Sequence, residues 1–203
     1  MNLENDLVVL DKTLEHFIIP KFLSNNPIID AGCSNGKFID ILRNINIKSI
    51  ILAIEASKTN INTLRKKSIP DVILYHNALV GLNNNGTIIF TEVKGLPEWG
   101  SVTNINDSRI RTIGKQIKYE VKTITLQDVI NNKIDYLKMD IEGSETDVIN
   151  TMNINIAKYI NQISLEIHNN DGLYLESILQ NLGFYTFLKD SELFGIRKEL
   201  YDN

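Results

Sequence analysis

Cysteine is nearly absent from this sequence: Cys33 is the single one in 203 residues. One thiol closes no intramolecular disulfide and builds no cysteine-rich zinc site. Proline and glycine are sparse, at 4 and 11 residues, which excludes collagen-like, low-complexity and largely disordered chains. No apolar run approaches the length that spans a bilayer. Nor does a basic start lead into an apolar core and a small-residue cleavage site. The expectation is a cytoplasmic protein with no membrane span. A dense basic block is missing as well. Lys and Arg number 21 against 25 Asp and Glu, a net charge of -4. Arg109, Arg111, Lys115 and Lys118 are scattered through one stretch, so a nucleic-acid partner is disfavoured.

What is present is an ordinary globular composition, 43% hydrophobic and 23% charged, long enough for one well-buried domain. Residues 1–26 read as an N-terminal helical segment. Within it Leu7, Leu10, Leu14, Phe17 and Ile18 fall at helical spacing, with Asp6 as N-cap. After Pro27 short apolar runs alternate with amphipathic stretches: Ile28 to Asp30, a helix from Gly36 to Ile45, Ser49 to Ile54, a helix from Thr59 to Lys67, Asp71 to Tyr75. This pattern predicts a Rossmann-like, doubly wound α/β fold with a mostly parallel sheet covered on both faces. Thr87 to Glu92 and Tyr119 to Ile124 read as strands, while 94–118 shows no persistent period and reads as a long substrate-side loop. In that loop Trp99, between Pro97 and Gly100, is a candidate to close over an acceptor or to anchor the loop. The parallel pattern resumes with Ile134 to Asp140, a helix from Glu145 capped by Ser144, Ile163 to His168, and a helix ending at Gly183. Tyr185 to Leu188 and Phe194 to Arg197 form a terminal antiparallel hairpin. No repeat or linker divides residues 1–203, so a single domain is expected.

The first strand ends at Asp30 and runs through Gly32-Cys-Ser-Asn-Gly36 into a helix. Glycine lets a backbone turn sharply and approach a ligand, and the amides at a helix start can hold a carboxylate. Glu55 ends the second strand, roughly 20 residues on, where an acid accepts hydrogen bonds from ribose hydroxyls. That placement serves dinucleotides and S-adenosylmethionine alike. The loop lacks Gly-x-Gly-x-x-Gly, however, and Asp30 suits a ligand with a cationic amine and a sulfonium better than a pyrophosphate.

These motifs resemble the FkbM family of class I S-adenosylmethionine-dependent methyltransferases over about Ile28 to His168. The resemblance rests on Asp30-Ala-Gly-Cys-Ser-Asn-Gly36, Ala53-Ile-Glu-Ala-Ser57, Asn77-Ala-Leu-Val80 with the later Gly86-Thr87, Leu137-Lys-Met-Asp-Ile-Glu-Gly-Ser-Glu145 and Leu165-Glu-Ile-His168, all in the family's order. Two positions depart from its pattern: Ser34 stands where Asn is usual, with Asn35 next door, and Gln127 stands where Asp is usual. The resemblance implies that Asp30, Gly32, Ser34, Asn35 and Gly36 line the methionine end of the cofactor. It further implies that Glu55 holds the ribose and that Ala56, Asn77 and Ala78 border the adenine. The implied activity is O-methylation of a hydroxyl on a sugar, glycan or secondary metabolite. Methylation of RNA and a non-catalytic cofactor-binding protein of the same fold are the alternatives.

Strand alternation brings Lys138, Asp140 and Glu142 to one side, and Glu166 with His168 to one face of the next strand. Methyl transfer to an alcohol gains from positioning and from a base. Asp140, Glu142, Glu166 and His168 are the catalytic candidates, with His168 or Asp140 as general base. Asp140 is also a candidate for the methionine amine, so it counts among the cofactor-binding residues. Lys138 is expected to pair with an acid inside the sheet. A divalent cation on Asp140, Glu166 and His168 is chemically reasonable, but the spacing is not diagnostic and no metal ligand is assigned. His16 and His76 read as structural or exposed.

Overall fold

The computed structural model describes residues 3–10, 16–81, 86–102 and 115–203, and only the backbone of 96–99. The N-terminal segment is not the expected amphipathic helix. A 3-10 turn over Leu3–Asp6 leads into β1 (Val8–Val9), which pairs antiparallel with β2 (Phe17–Ile18), and a second 3-10 turn covers Pro20–Phe22. Part of the expected helix, 11–15, lies outside the described residues. The physical reason is tertiary. Phe17, Ile18 and Ile19 are all buried, and three consecutive residues cannot share one helix face. Their main chain is held by side chains of the central sheet: the Tyr136 hydroxyl donates to Phe17 O (2.7 Å), Gln162 Oε1 accepts from Ile19 N (2.8 Å), and Gln162 Nε2 donates to Ile19 O (3.2 Å).

The parallel βα pattern then follows: β3 (Ile28–Ala31), α1 (Lys37–Asn44), β4 (Ile51–Glu55), α2 (Lys58–Lys67) and β5 (Val72–His76). Next, β6 (Ala78–Leu79), β7 (Thr87–Val93), β8 (Leu96–Ser101) and β9 (Gln116–Ile124) form a separate four-stranded sheet in the order β6-β9-β7-β8. This corrects the reading of 94–118 as loop at both ends, while 103–114 lie outside the described residues. β7 and β8 are joined through Lys94-Gly95, with Val93 opposite Leu96 and Gly95 in the left-handed region at φ 89. A turn that tight relies on glycine. Pro97 and Gly100 hide β8 from a pattern search, because both are poor strand formers.

The chain returns with α3 (Leu126–Val129), β10 (Ile134–Met139), α4 (Glu145–Thr151), α5 (Ile154–Ala157), β11 (Ile160–Glu166), α6 (Gly172–Asn181), β12 (Phe184–Lys189), β13 (Glu192–Arg197) and α7 (Lys198–Tyr201). Among the described residues the central sheet has seven strands in the order β12-β13-β11-β10-β3-β4-β5. Five are parallel, and the terminal hairpin adds β13 antiparallel to β11 and β12 antiparallel to β13.

Alternation along the strands builds two cores. Ile29, Leu137 and Ile163 face α4 and α6 on one side; Ile28, Ala53 and Tyr136 face α1 and the N-terminal segment on the other. The winding runs outward from β3 to β5, then returns to β10 on the opposite side of β3. The carboxyl ends of β3 and β10 therefore flank the switch point, where open α/β sheets bind their ligands. No helix among the described residues is long and apolar enough to cross a membrane.

Candidate active site

The loop after β3 is folded by its own sequence into a string of left-handed residues: Gly32 at φ 75, Ser34 at φ 47 and Gly36 at φ 86. Gly32 has a specific reason to be glycine. A Cβ there would lie 1.6 Å from the carbonyl oxygen of Asp140, so the absent side chain lets the loop close onto the end of β10. The close approach at Gly32 is thus to main chain, and it brings Asp140 beside the loop. Gly36 caps α1, and a Cβ there would sit 2.5 Å from Leu64 Cδ2. Cys33 is buried under the turn, and burial pushes its thiol up, away from a reactive thiolate.

One crevice joins the ends of β3, β4, β6 and β10. It encloses about 1040 Å³ including its open mouth. Gly32, Ser34, Asn35, Glu55, Ala56, Asn77, Ala78, Asp140 and Glu142 line it, with Leu79 and Phe90 supplying apolar wall. Asp30, Gly36, Glu166 and His168 do not line it. Glu55 is buried and clamps the glycine loop to the start of α2: one oxygen accepts from Ser34 N (2.7 Å) and the other from Ser57 N (2.6 Å). Burial pushes this acid up to about 7 against those two amides, which pull it down. Ser57 in turn donates to Glu92 (2.9 Å), which also accepts from Thr59 and Tyr119, so β7 and β9 brace the Glu55 turn.

Asp30 lies below the floor of the crevice. It is fully buried opposite Lys138 in the β3–β10 register, 3.3 Å from its ammonium. Burial raises the Asp30 carboxyl while the ammonium lowers it. Lys138 also donates to Gly32 O (2.8 Å) and lies 3.5 Å from Asp140 Oδ2. It ties strand, loop and strand end into one unit.

The carboxyl ends of β10 and β11 bring the four catalytic candidates together. His168 Nε2 lies 3.4 Å from Glu142 Oε2, 3.7 Å from Asp140 Oδ1 and 3.9 Å from Glu166 Oε1, and its Nδ1 lies 3.2 Å from Glu145 Oε1. Burial opposes the imidazolium, but the Glu145 hydrogen bond and the surrounding carboxylates push His168 up to about 9. Burial, reinforced by Asp140 and Glu166, raises Glu142 to about 7, and burial beside Asp140 raises Glu166. Glu142 holds a left-handed backbone at φ 55 next to Gly143 at φ 98, a conformation that persists only where surrounding contacts impose it.

Glu145 imposes it. Its carboxylate accepts from Ile141 N (2.7 Å) and Gly143 N (3.0 Å) while holding His168. Sequence reasoning missed Glu145 as a site residue. The available signal was an acid in the first turn of α4, directly after a glycine turn, where it can reach back to loop amides. His16, read as structural or exposed, is fully buried, with Nδ1 2.9 Å from Glu192 Oε1. Burial pulls its imidazole down to about 3. The part foreseen for Trp99 falls on a side chain outside the described residues.

Residues 30–185, more than half of the chain, match the family model described as the methyltransferase FkbM domain. This chain belongs to the FkbM methyltransferase domain family. Among solved structures, it is similar to the methyltransferase FkbM from Methylobacillus flagellatus KT, with TM-score 0.56 and 16% identity over 86% of this chain and 45% of the other. The chain thus spans less than half the length of that relative, and at this identity the shared property is the fold. Other matches are precorrin-6y C5,15-methyltransferase from Geobacter metallireducens GS-15 (TM-score 0.46, 11% identity, 84% of this chain and 77% of that one) and the Methanococcus jannaschii fibrillarin pre-rRNA processing protein (TM-score 0.49, 13% identity, 94% and 76%). A search of curated proteins finds no match. FkbM membership agrees with the resemblance carried by the Lys138-to-Glu145 motif, and the parallel sheet with its terminal hairpin is the architecture expected of that family.

Proposed function

We propose that this chain is an S-adenosylmethionine-dependent O-methyltransferase that acts on a hydroxyl of a sugar, glycan or secondary metabolite. The observation that carries this reading is the continuity of the crevice. It runs from the Gly32–Asn35 loop past Glu55 and Asn77–Ala78 to Asp140 and Glu142 without a break. The donor set fits the cofactor. Each Glu55 oxygen uses one lone pair on a backbone amide and keeps one for a ribose hydroxyl. Ala78, Leu79 and Phe90 offer apolar wall to an adenine, and Asp140 offers negative charge to an amine or sulfonium.

When bound, S-adenosylmethionine supplies an electrophilic methyl group on a positively charged sulfur. Glu142 is placed to accept the acceptor's hydroxyl proton, because among the members of the carboxylate–imidazole cluster it and Asp140 line the crevice. With the cofactor bound, the acceptor oxygen would receive that methyl group as the sulfur leaves neutral, and Glu142 would keep the acceptor's proton. His168 stands behind Glu142 as its charge partner. Calorimetric titration with S-adenosylmethionine, its demethylated product and NAD tests the reading. Binding of the first two and not of NAD is the expected result; tight binding of NAD, or of none of the three, would sink it.

A further inference from the structure

The crevice explains Asp140 and Glu142 but not the imidazole buried behind them. His16 is fully buried on the face that α1 and the N-terminal segment cover. Its Nδ1 is engaged by Glu192, which also accepts from Ser164, whereas its Nε2 is buried without any hydrogen-bond partner. A buried polar atom with nothing to meet it is costly and calls for an explanation. The surroundings offer one. A ring nitrogen of His16, a carboxylate oxygen of Asp140 and one of Glu166 all lie within 4.8 Å of one another. Asp140 also has Lys138 3.5 Å from its Oδ2 and His168 Nε2 3.7 Å from its Oδ1. The Glu166 side chain is 40% exposed, which leaves the group open to solvent on one side while His16 closes it on the other.

We infer that His16, Asp140 and Glu166 form a binding site for a divalent first-row transition-metal ion. One imidazole with two carboxylates is a mixed donor set that such ions accept, whereas magnesium and calcium favour oxygen alone. The Glu192 contact at Nδ1 fixes the imidazole ring and leaves Nε2 unspent, as the second polar partner of a ligating histidine does. The site shares Asp140 with the crevice, so a bound ion would act on a carboxylate that lines it. That role rests on the methyl-transfer reading; the binding itself does not.

The test uses the full chain stripped with chelator and titrated with Mn²⁺, the free ion being followed by electron paramagnetic resonance, and with Co²⁺ followed by visible absorption. One ion per chain is expected. His16→Ala and Glu166→Gln should each weaken binding by about tenfold or more, and His16→Ala should remove the imidazole nitrogen signature from the bound-Mn²⁺ spectrum. If His16→Ala does not fold, Glu166→Gln, at the exposed rim, decides alone. Absence of binding by the unaltered protein, or unchanged affinity in Glu166→Gln, would overturn the inference. So would loss of binding in His168→Ala with none in His16→Ala, which would assign the ion to the neighbouring Asp140, Glu142 and His168 group. No cofactor or acceptor is present in these titrations. A failed S-adenosylmethionine titration and a failed metal titration therefore remain separate results.

Discussion

Glu55 is a strand-end acid in the sequence and the tie between two turns in the structure, because its two oxygens hold main-chain amides from each of them. Burial raises it from its ordinary 4.5 to about 7. In the ligand-free protein, the stability this shift contributes is complete below about 4.5 and is lost as pH rises through about 7. Ribose hydroxyls donating to the carboxylate favour its ionised form, so binding reverses the preference and releases a proton. Affinity for S-adenosylmethionine should therefore fall as pH drops below about 7, by roughly tenfold between pH 8 and pH 6. Calorimetry in buffers of different ionisation enthalpy should detect the released proton. An affinity that is flat over this range would remove Glu55 from the ribose role. Glu55→Ala should weaken binding by about tenfold or more, since it loses two charge-assisted hydrogen bonds to ligand.

Among elements, the turn between β10 and α4 is the one whose shape depends on a single side chain. Glu145 satisfies two half-buried amides and positions the His168 ring. Removing it leaves both amides without an acceptor in a left-handed turn. Glu145→Ala should therefore cost about 2–4 kcal/mol in urea unfolding and lower turnover through misplacement of Glu142. A loss under about 1 kcal/mol would mean that water replaces the carboxylate. The Lys-x-Asp-x-Glu-Gly-x-Glu motif was legible as a motif, but its division of labour was not. Lys138 is tied to Asp30, Asp140 and Glu142 reach the crevice, and Glu145 holds the turn. Spacing alone does not separate these roles, since it states neither burial nor partner.

For the molecule as a whole, the N-terminal segment is part of the central fold rather than a helix laid upon it. Phe17, Ile18 and Ile19 close one face of the sheet, and His16 Nδ1, the Tyr136 hydroxyl and the Gln162 amide make their hydrogen bonds across that contact. Deleting residues 1–22 uncovers three large apolar side chains' worth of core, each worth about 2–5 kcal/mol on truncation. It also strands the buried Gln162 amide. Such a loss is comparable to the whole stability of a domain this size, so the truncated chain should show no cooperative thermal transition by circular dichroism. A cooperative transition near that of the full chain would show the segment to be dispensable.

The alternation of apolar runs and amphipathic stretches, the glycine loop, Glu55 and the Lys138-to-Glu145 motif determined the parallel sheet, its order of elements and the family from sequence alone. They could do so because each expresses a local rule: strand burial, helix periodicity, or the turn that glycine permits. Tertiary structure decided what local rules do not encode. It turned an apparent helix into extended chain, because Tyr136 and Gln162 take up the backbone of residues 17–19. It sank Asp30 beneath the crevice, because Lys138 stands opposite it in the register. And it placed His16 beside Asp140 and Glu166, more than a hundred residues away along the chain, a proximity that comes from sheet closure and from no pattern in the sequence.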